Sequence, residues 1–132
     1  LADPRGDDIK DLVNKYKQRE PFRPFAPMVL KECVNDLFDM PTKSSPYMQF
    51  TAKCKKPEEF PAIVHVDGTS RVQTVGLSDD RNIRALLEAW YTKTGCPLLL
   101  NTSLNIKGEP LVNTVEDARN FEKINKLKVI TP

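Results

Sequence analysis

Apolar positions along the chain recur with two periods, and the switches between them mark the elements. From Ile9 the spacing i, i+3, i+4, i+7 through Leu12, Val13 and Tyr16 predicts an amphipathic helix. Asp7 and Asp8 place negative charge at its start, and Pro21 requires that it stop by Glu20. Ala26 to Phe38 carries both signals: Met28-Val29-Leu30 reads as extended, while Val34, Leu37 and Phe38 suggest a helical turn. Tyr47 to Lys53 alternates as a strand does. Ala62 to Val66 and Arg71 to Val75 predict two strands around Asp67-Gly68-Thr69-Ser70, a turn signal longer than the tightest hairpin. Asp79 or Asp80 then caps the clearest helix, with Ile83, Leu86, Leu87, Trp90 and Tyr91 on one face and Gly95 as the stop. Pro97 to Leu100 is wholly apolar, which predicts a strand at the centre of the sheet. Thr114 with Asp117 resembles a capping arrangement for a last helix through Val115, Ala118 and Phe121. Leu127 to Ile130 reads as a closing strand. The expected class is α/β (α+β), with no internal repeat or low-complexity linker.

Composition sharpens this picture in a few places. Eleven prolines exceed the roughly 5% that is usual, and they crowd Pro21 to Pro61, which predicts a loop-rich stretch with short extended pieces. At 132 residues, 39% hydrophobic and 29% charged, the chain fits one ordered domain able to bury about two-thirds of its unfolded surface. A net charge of +2 gives non-specific duplex binding no compositional support. No run of about 18 apolar residues offers a membrane span, and Leu1 to Asp8 lacks a signal-peptide layout. Cys33, Cys54 and Cys96 are odd in number and form no C-x-x-C, so reduced thiols in a cytoplasmic protein are expected. With His65 as the one histidine, a metal site needing two His ligands cannot form within the chain.

Three polar segments carry candidate chemistry. In Lys17-Gln18-Arg19-Glu20-Pro21-Phe22-Arg23-Pro24-Phe25-Ala26-Pro27, prolines stiffen a run of cations, so that a phosphate could be gripped with little further ordering. The plainer reading is a helix end followed by a surface loop. In His65-Val66-Asp67-Gly68-Thr69-Ser70-Arg71-Val72-Gln73, alternation puts Arg71 and Gln73 on one strand face; the plainer reading is a hairpin with a polar side and a hydrogen-bonded structural His65. Asn101-Thr102-Ser103-Leu104-Asn105 follows an apolar strand, where α/β sheets place ligands, although it also reads as an Asx turn. Neither G-x-x-x-x-G-K-S/T nor G-x-G-x-x-G occurs, which disfavours P-loop phosphoryl transfer. Together the segments suggest a cationic pocket for polyphosphate.

These segments also carry a resemblance. Leu1-Ala2-Asp3-Pro4-Arg5, Arg19 to Pro27, Ser45-Pro46-Tyr47-Met48, His65 to Val75 and Leu100 to Pro110 occur in the order in which similar blocks occur in the C-terminal domain of the NodU/CmcH/TobZ-type O-carbamoyltransferases. The resemblance implies one YrdC-like domain over 1–132, a twisted mixed sheet flanked by helices, with Ser103-x-Asn105 similar to the YrdC signature. It implies that carbamoyl phosphate loses phosphate and that the carbamate attacks the α-phosphorus of ATP. Carbamoyl-adenylate and pyrophosphate result, with Mg²⁺ on the nucleotide. By the same resemblance Lys17 and Arg23 grip phosphates, Arg71 is a second ligand-binding arginine, and Ser103 and Asn105 contact nucleotide and carbamoyl groups. Arg19, His65, Asp67, Gln73 and Asn101 are expected to line the pocket, and no metal ligand is expected in this chain. An ASKHA-like N-terminal domain, with its own metal and the acceptor hydroxyl's site, is expected outside these residues. Its absence would bare an interdomain face that favours self-association. The rival expectations are a nucleic-acid-binding YrdC-like module, against which the near-neutral charge counts, and a non-catalytic structural domain.

Overall fold

A computed structural model describes residues 1–131. A five-stranded mixed sheet runs in the order β2-β3-β4-β1-β5, formed by β1 (Ala26–Leu30), β2 (Phe38–Asp39), β3 (Phe50–Cys54), β4 (Thr69–Val75) and β5 (Leu98–Asn101). Helices α1 (Ile9–Lys17), α2 (Val34–Leu37), α3 (Arg81–Thr94) and α4 (Val115–Asn125) complete the α/β fold. Strand β1 pairs in parallel with β4 and antiparallel with β5. Every residue of β1 is buried, because both faces of the sheet are covered there. One face carries the larger core, including Val29, Val72, Leu98, Leu100, Phe38 and Ile63, with Ile9 and Val13 of α1 packed against it. The other holds Met28, Leu30, Val75 and Leu99 under Leu87 of α3. Among the described residues no helix is long and apolar enough to cross a membrane.

Local signals explain the helices. Asp80 caps α3 by accepting from the backbone N–H groups of Asn82 and Ile83, both at 2.9 Å. Gly95 ends it at φ 70°, where its N–H reaches Tyr91 O at 2.8 Å. Thr114 and Asp117 form a reciprocal capping box at the start of α4. The apolar stripes are narrower than their spacing suggests: Leu12 and Tyr16 of α1 and Leu86 and Tyr91 of α3 remain exposed. In exchange α1 buries Asn14 and Lys17, and α3 buries Arg84, whose guanidinium meets Glu32, Glu88 and the Val75 carbonyl.

Four strand expectations need correction. Ala62 to Val66 is not a strand, because Pro61–Ile63 forms a 3-10 turn that sinks Ala62 and Ile63 into the core. The turn beyond it does form, with Gly68 at φ 80°, but β3 takes the place beside β4. Pro97 to Leu100 yields β5, which lies at the edge and not the centre. It is apolar because both its faces are covered, and its outer edge is met by Ala2, which exchanges backbone hydrogen bonds with Leu100 at 3.0 and 2.9 Å. Leu127 to Ile130 is irregular: Lys126 turns the chain at φ 52°, Ile130 is 89% exposed, and the outer edge of β5 is taken by Ala2. Tyr47 to Lys53 is displaced, since Tyr47 lies in an exposed turn and the strand begins at Phe50. Ala26 to Phe38 contains both of its readings in succession, as β1 and then α2, except that Phe38 leaves the helical turn and opens β2.

Candidate functional site

Register decides where the polar segments meet. Ala26 at the start of β1 lies opposite Asn101 at the end of β5. Met28 lies opposite Gln73 in the parallel pair, which brings Arg71 level with Ala26. The loop entering β1, the first half of β4 and the loop leaving β5 therefore converge at one end of the sheet. There they enclose an open cleft of about 640 Å³, lined among others by Lys17, Arg19, Glu20, Arg23, Arg71, Asn101, Ser103, Asn105 and Lys107.

Lys17 is the organising side chain. It ends α1 and is only 8% exposed. Its Nζ donates to the Ser103 carbonyl, to Ser103 Oγ at 3.1 Å, and to the Asn105 carbonyl and Oδ1 at 3.1 and 3.2 Å. The Ser103 hydroxyl in turn donates to Asn105 Oδ1 at 2.6 Å, and Asn105 Nδ2 donates to the Glu109 carbonyl at 3.0 Å. A backbone bond from Lys107 N–H to the Lys17 carbonyl, 2.9 Å, ties the same loop to the helix end. Burial, with the Arg19 charge as a lesser cause, pushes the Lys17 ammonium below its ordinary pKa. Lys17 thus holds the Ser-x-Asn loop in shape as well as adding charge.

The three arginines differ in how far they are held. Arg19 donates to the Pro24 carbonyl at 3.2 Å and lies 4.9 Å above the Phe25 ring, and burial lowers its pKa. Arg71 is exposed and has no hydrogen-bond or ion-pair partner among the described residues. Arg23 is exposed too, 3.7 Å from Glu20. Glu20 and Lys107 also reach the cleft and face each other at 2.5 Å. Lys107, with Glu20's own backbone and Arg23, draws the Glu20 carboxyl down to about 2.

Not every candidate reaches this cleft. Lys17, Arg19, Arg23, Arg71, Asn101, Ser103 and Asn105 are brought together. His65 and Asp67 instead border an adjoining groove of about 450 Å³, shared with Arg19, Arg23 and Arg71. Asp67 is engaged locally, accepting from Thr69 N–H at 2.9 Å and its hydroxyl at 2.7 Å, with His65 Nδ1 3.4 Å away. Gln73 shares the sheet face of Arg71, yet it accepts from Asn101 Nδ2 at 2.8 Å and donates to the Pro46 carbonyl at 3.1 Å. That arrangement turns it towards a separate cavity beside Tyr47 and Ile83. Sequence reasoning did not single out Glu20 and Lys107. Glu20 lies within the cationic segment and Lys107 two residues beyond Asn105, but only strand register brings residues so far apart in sequence face to face. Among the described residues no group of three His, Cys, Asp or Glu could hold a metal. Burial raises the Cys54 and Cys96 thiols above their ordinary pKa, which makes them poor nucleophiles.

Residues 1–131 match the family described as Carbamoyltransferase C-terminus. Nodulation protein NolO of Bradyrhizobium diazoefficiens is 42% identical over 123 residues, covering 89% of this chain and 22% of that protein. The 3'-hydroxymethylcephem-O-carbamoyltransferase of Amycolatopsis lactamdurans is 38% identical over 117 residues, covering 89% of this chain and 22% of its own length. Nodulation protein U of Sinorhizobium fredii is 39% identical over 110 residues, covering 82% and 20% respectively. The chain thus spans about a fifth of these relatives. With a match along almost its full length, this chain belongs to the carbamoyltransferase C-terminus family.

Proposed function

We propose that this chain is the YrdC-like adenylation part of an O-carbamoyltransferase, forming carbamoyl-adenylate from carbamoyl phosphate and ATP. The observation that carries this reading is the convergence of Arg23 and Arg71, both exposed, on a Ser103-x-Asn105 loop held by a buried Lys17. Family membership and the name of the cephem carbamoyltransferase supply the carbamoyl group.

Water cleaves carbamoyl phosphate to carbamate and inorganic phosphate. A carbamate oxygen then bonds to the α-phosphorus of ATP as the bond to the β-phosphate bridging oxygen breaks, and pyrophosphate leaves. Displacement at phosphorus needs alignment and charge neutralisation more than a protein nucleophile. Arg23 and Arg71 supply forked donors to phosphate oxygens, while the second Nδ2 proton of Asn105 and the remaining lone pair of Ser103 Oγ face the carbamoyl group. The residues do not fit a protein-held Mg²⁺, because Glu20 is the one carboxylate lining the cleft and is engaged by Lys107. No step here is assigned to the metal. Transfer to an acceptor hydroxyl is assigned to the remainder of a longer protein, an ASKHA-like domain in this reading.

The test is carbamoyl-phosphate-dependent release of pyrophosphate from ATP by the purified chain. Each charge-assisted contact is worth about 1.5–3 kcal/mol, so Arg23→Ala and Arg71→Ala should each lower kcat/KM by roughly ten- to a hundredfold. If both variants keep wild-type rates and ATP affinity, the site is wrongly placed. Silence with ATP binding intact would mean that the rest of the longer protein completes the site. Silence without ATP binding would favour a structural role.

A further inference from the structure

Glu20 is out of place in a cleft built to attract anions. It is the one carboxylate among the lining residues, and each of its oxygens faces a different cation: Oε1 is 2.5 Å from Lys107 Nζ and Oε2 is 3.7 Å from Arg23 Nη1. Packing does not force this arrangement. The Lys107 and Arg23 side chains are 60% and 56% exposed, so they converge on Glu20 because it is charged. Nor is the pair needed to hold the loop, which is already tied to α1 by the Lys107 N–H and by the contacts of Lys17. A carboxylate bridging two exposed cations stands where the oxygens of a bound anion would.

We propose that Lys107 and Arg23 form an anion subsite at the cleft's mouth for a terminal diphosphate group, and that Glu20 is its resident counter-ion. When the diphosphate arrives, its oxygens take the two cations and the Glu20 carboxylate swings into solvent, which its one-third exposure allows. The subsite rests on the polyphosphate reading of the cleft. Glu20 then acts as a selectivity filter: a weakly charged anion cannot displace it, whereas a diphosphate with several negative charges can. In the empty protein it also quenches local repulsion between Arg23 and Lys107.

The test is calorimetric titration with inorganic pyrophosphate and ATP, and with AMP as the probe lacking distal phosphates. Glu20→Gln keeps the shape and removes the competing charge, so pyrophosphate and ATP should bind about three- to tenfold tighter, while AMP changes little. Lys107→Met should weaken pyrophosphate binding, and in the double variant the gain from Glu20→Gln should shrink. Raising salt should narrow every difference. If wild type binds pyrophosphate but Glu20→Gln binds it equally or more weakly, Glu20 is a structural clasp and the proposal fails alone. An equal gain for AMP, or a gain undiminished by Lys107→Met, also overturns it. If neither wild type nor Glu20→Gln binds pyrophosphate or ATP, the polyphosphate reading falls with it.

Discussion

Lys17 shows how one side chain can join packing to chemistry. Burying an ammonium costs free energy unless its protons are satisfied, and here the Ser103 and Asn105 oxygens satisfy them. Burial outweighs those contacts, with the Arg19 charge adding to it, so the folded chain favours the neutral amine more than the unfolded chain does and the Lys17 pKa lies below the ordinary lysine value. In the window between the folded and unfolded pKa values the unfolded chain binds more protons, so this group's contribution to stability rises with pH there. Function runs the other way, because a neutral lysine holds the loop less firmly. For the proposed reaction, the kcat/KM profile should fall on its alkaline side below the usual lysine range, and Lys17→Arg, which keeps its proton, should remove that limb even at a lower plateau. An alkaline limb untouched by the substitution would assign the titration to another group. Glu20 has the opposite sign: its depressed carboxyl contributes above the ordinary Glu value and is lost as pH falls through about 2, so its pairing persists across the neutral range.

Among the elements, those closed by local chemistry were the readable ones. The Asp80 cap, the Gly95 stop and the Thr114–Asp117 box are each satisfied within a few residues, so their spacing in sequence is their spacing in space. Thr114→Ala should cost about 1 kcal/mol in urea unfolding while leaving the proposed nucleotide binding unchanged, since α4 adds no residue to the cleft. A loss of ATP affinity in that variant would show that α4 supports the site through the loop that precedes it. Strands were less readable, because a strand is defined by its partner. Ala62 to Val66 has strand-like composition, yet Pro61 withholds a donor and burial of Ala62 and Ile63 outweighs pairing. Burial on both faces made Pro97 to Leu100 look central, when a short N-terminal segment and not another strand covers its edge.

That segment matters to the whole molecule. Ala2 closes the outer edge of β5, and Arg5 is braced by Asp3 at 2.8 Å while lying 5.6 Å from the centre of the Trp90 ring. Removing residues 1–5 should cost about 2 kcal/mol from the two backbone bonds alone and leave an open edge that promotes self-association, read by light scattering. A monodisperse truncated chain with an unchanged unfolding midpoint would show that the edge needs no cover. By itself the sequence determined helices α1, α3 and α4, the caps of α3 and α4, the turn at Gly68 and the chemical character of each polar segment, because those depend on neighbours a few residues away. Tertiary structure alone decided that β1 lies between β4 and β5, which sets Arg71 level with Ala26 and Ala26 opposite Asn101. It also turned Lys17 inward, drew Gln73 aside and set Glu20 against Lys107. These are contacts across dozens of residues, set by strand register, and no local spacing encodes them.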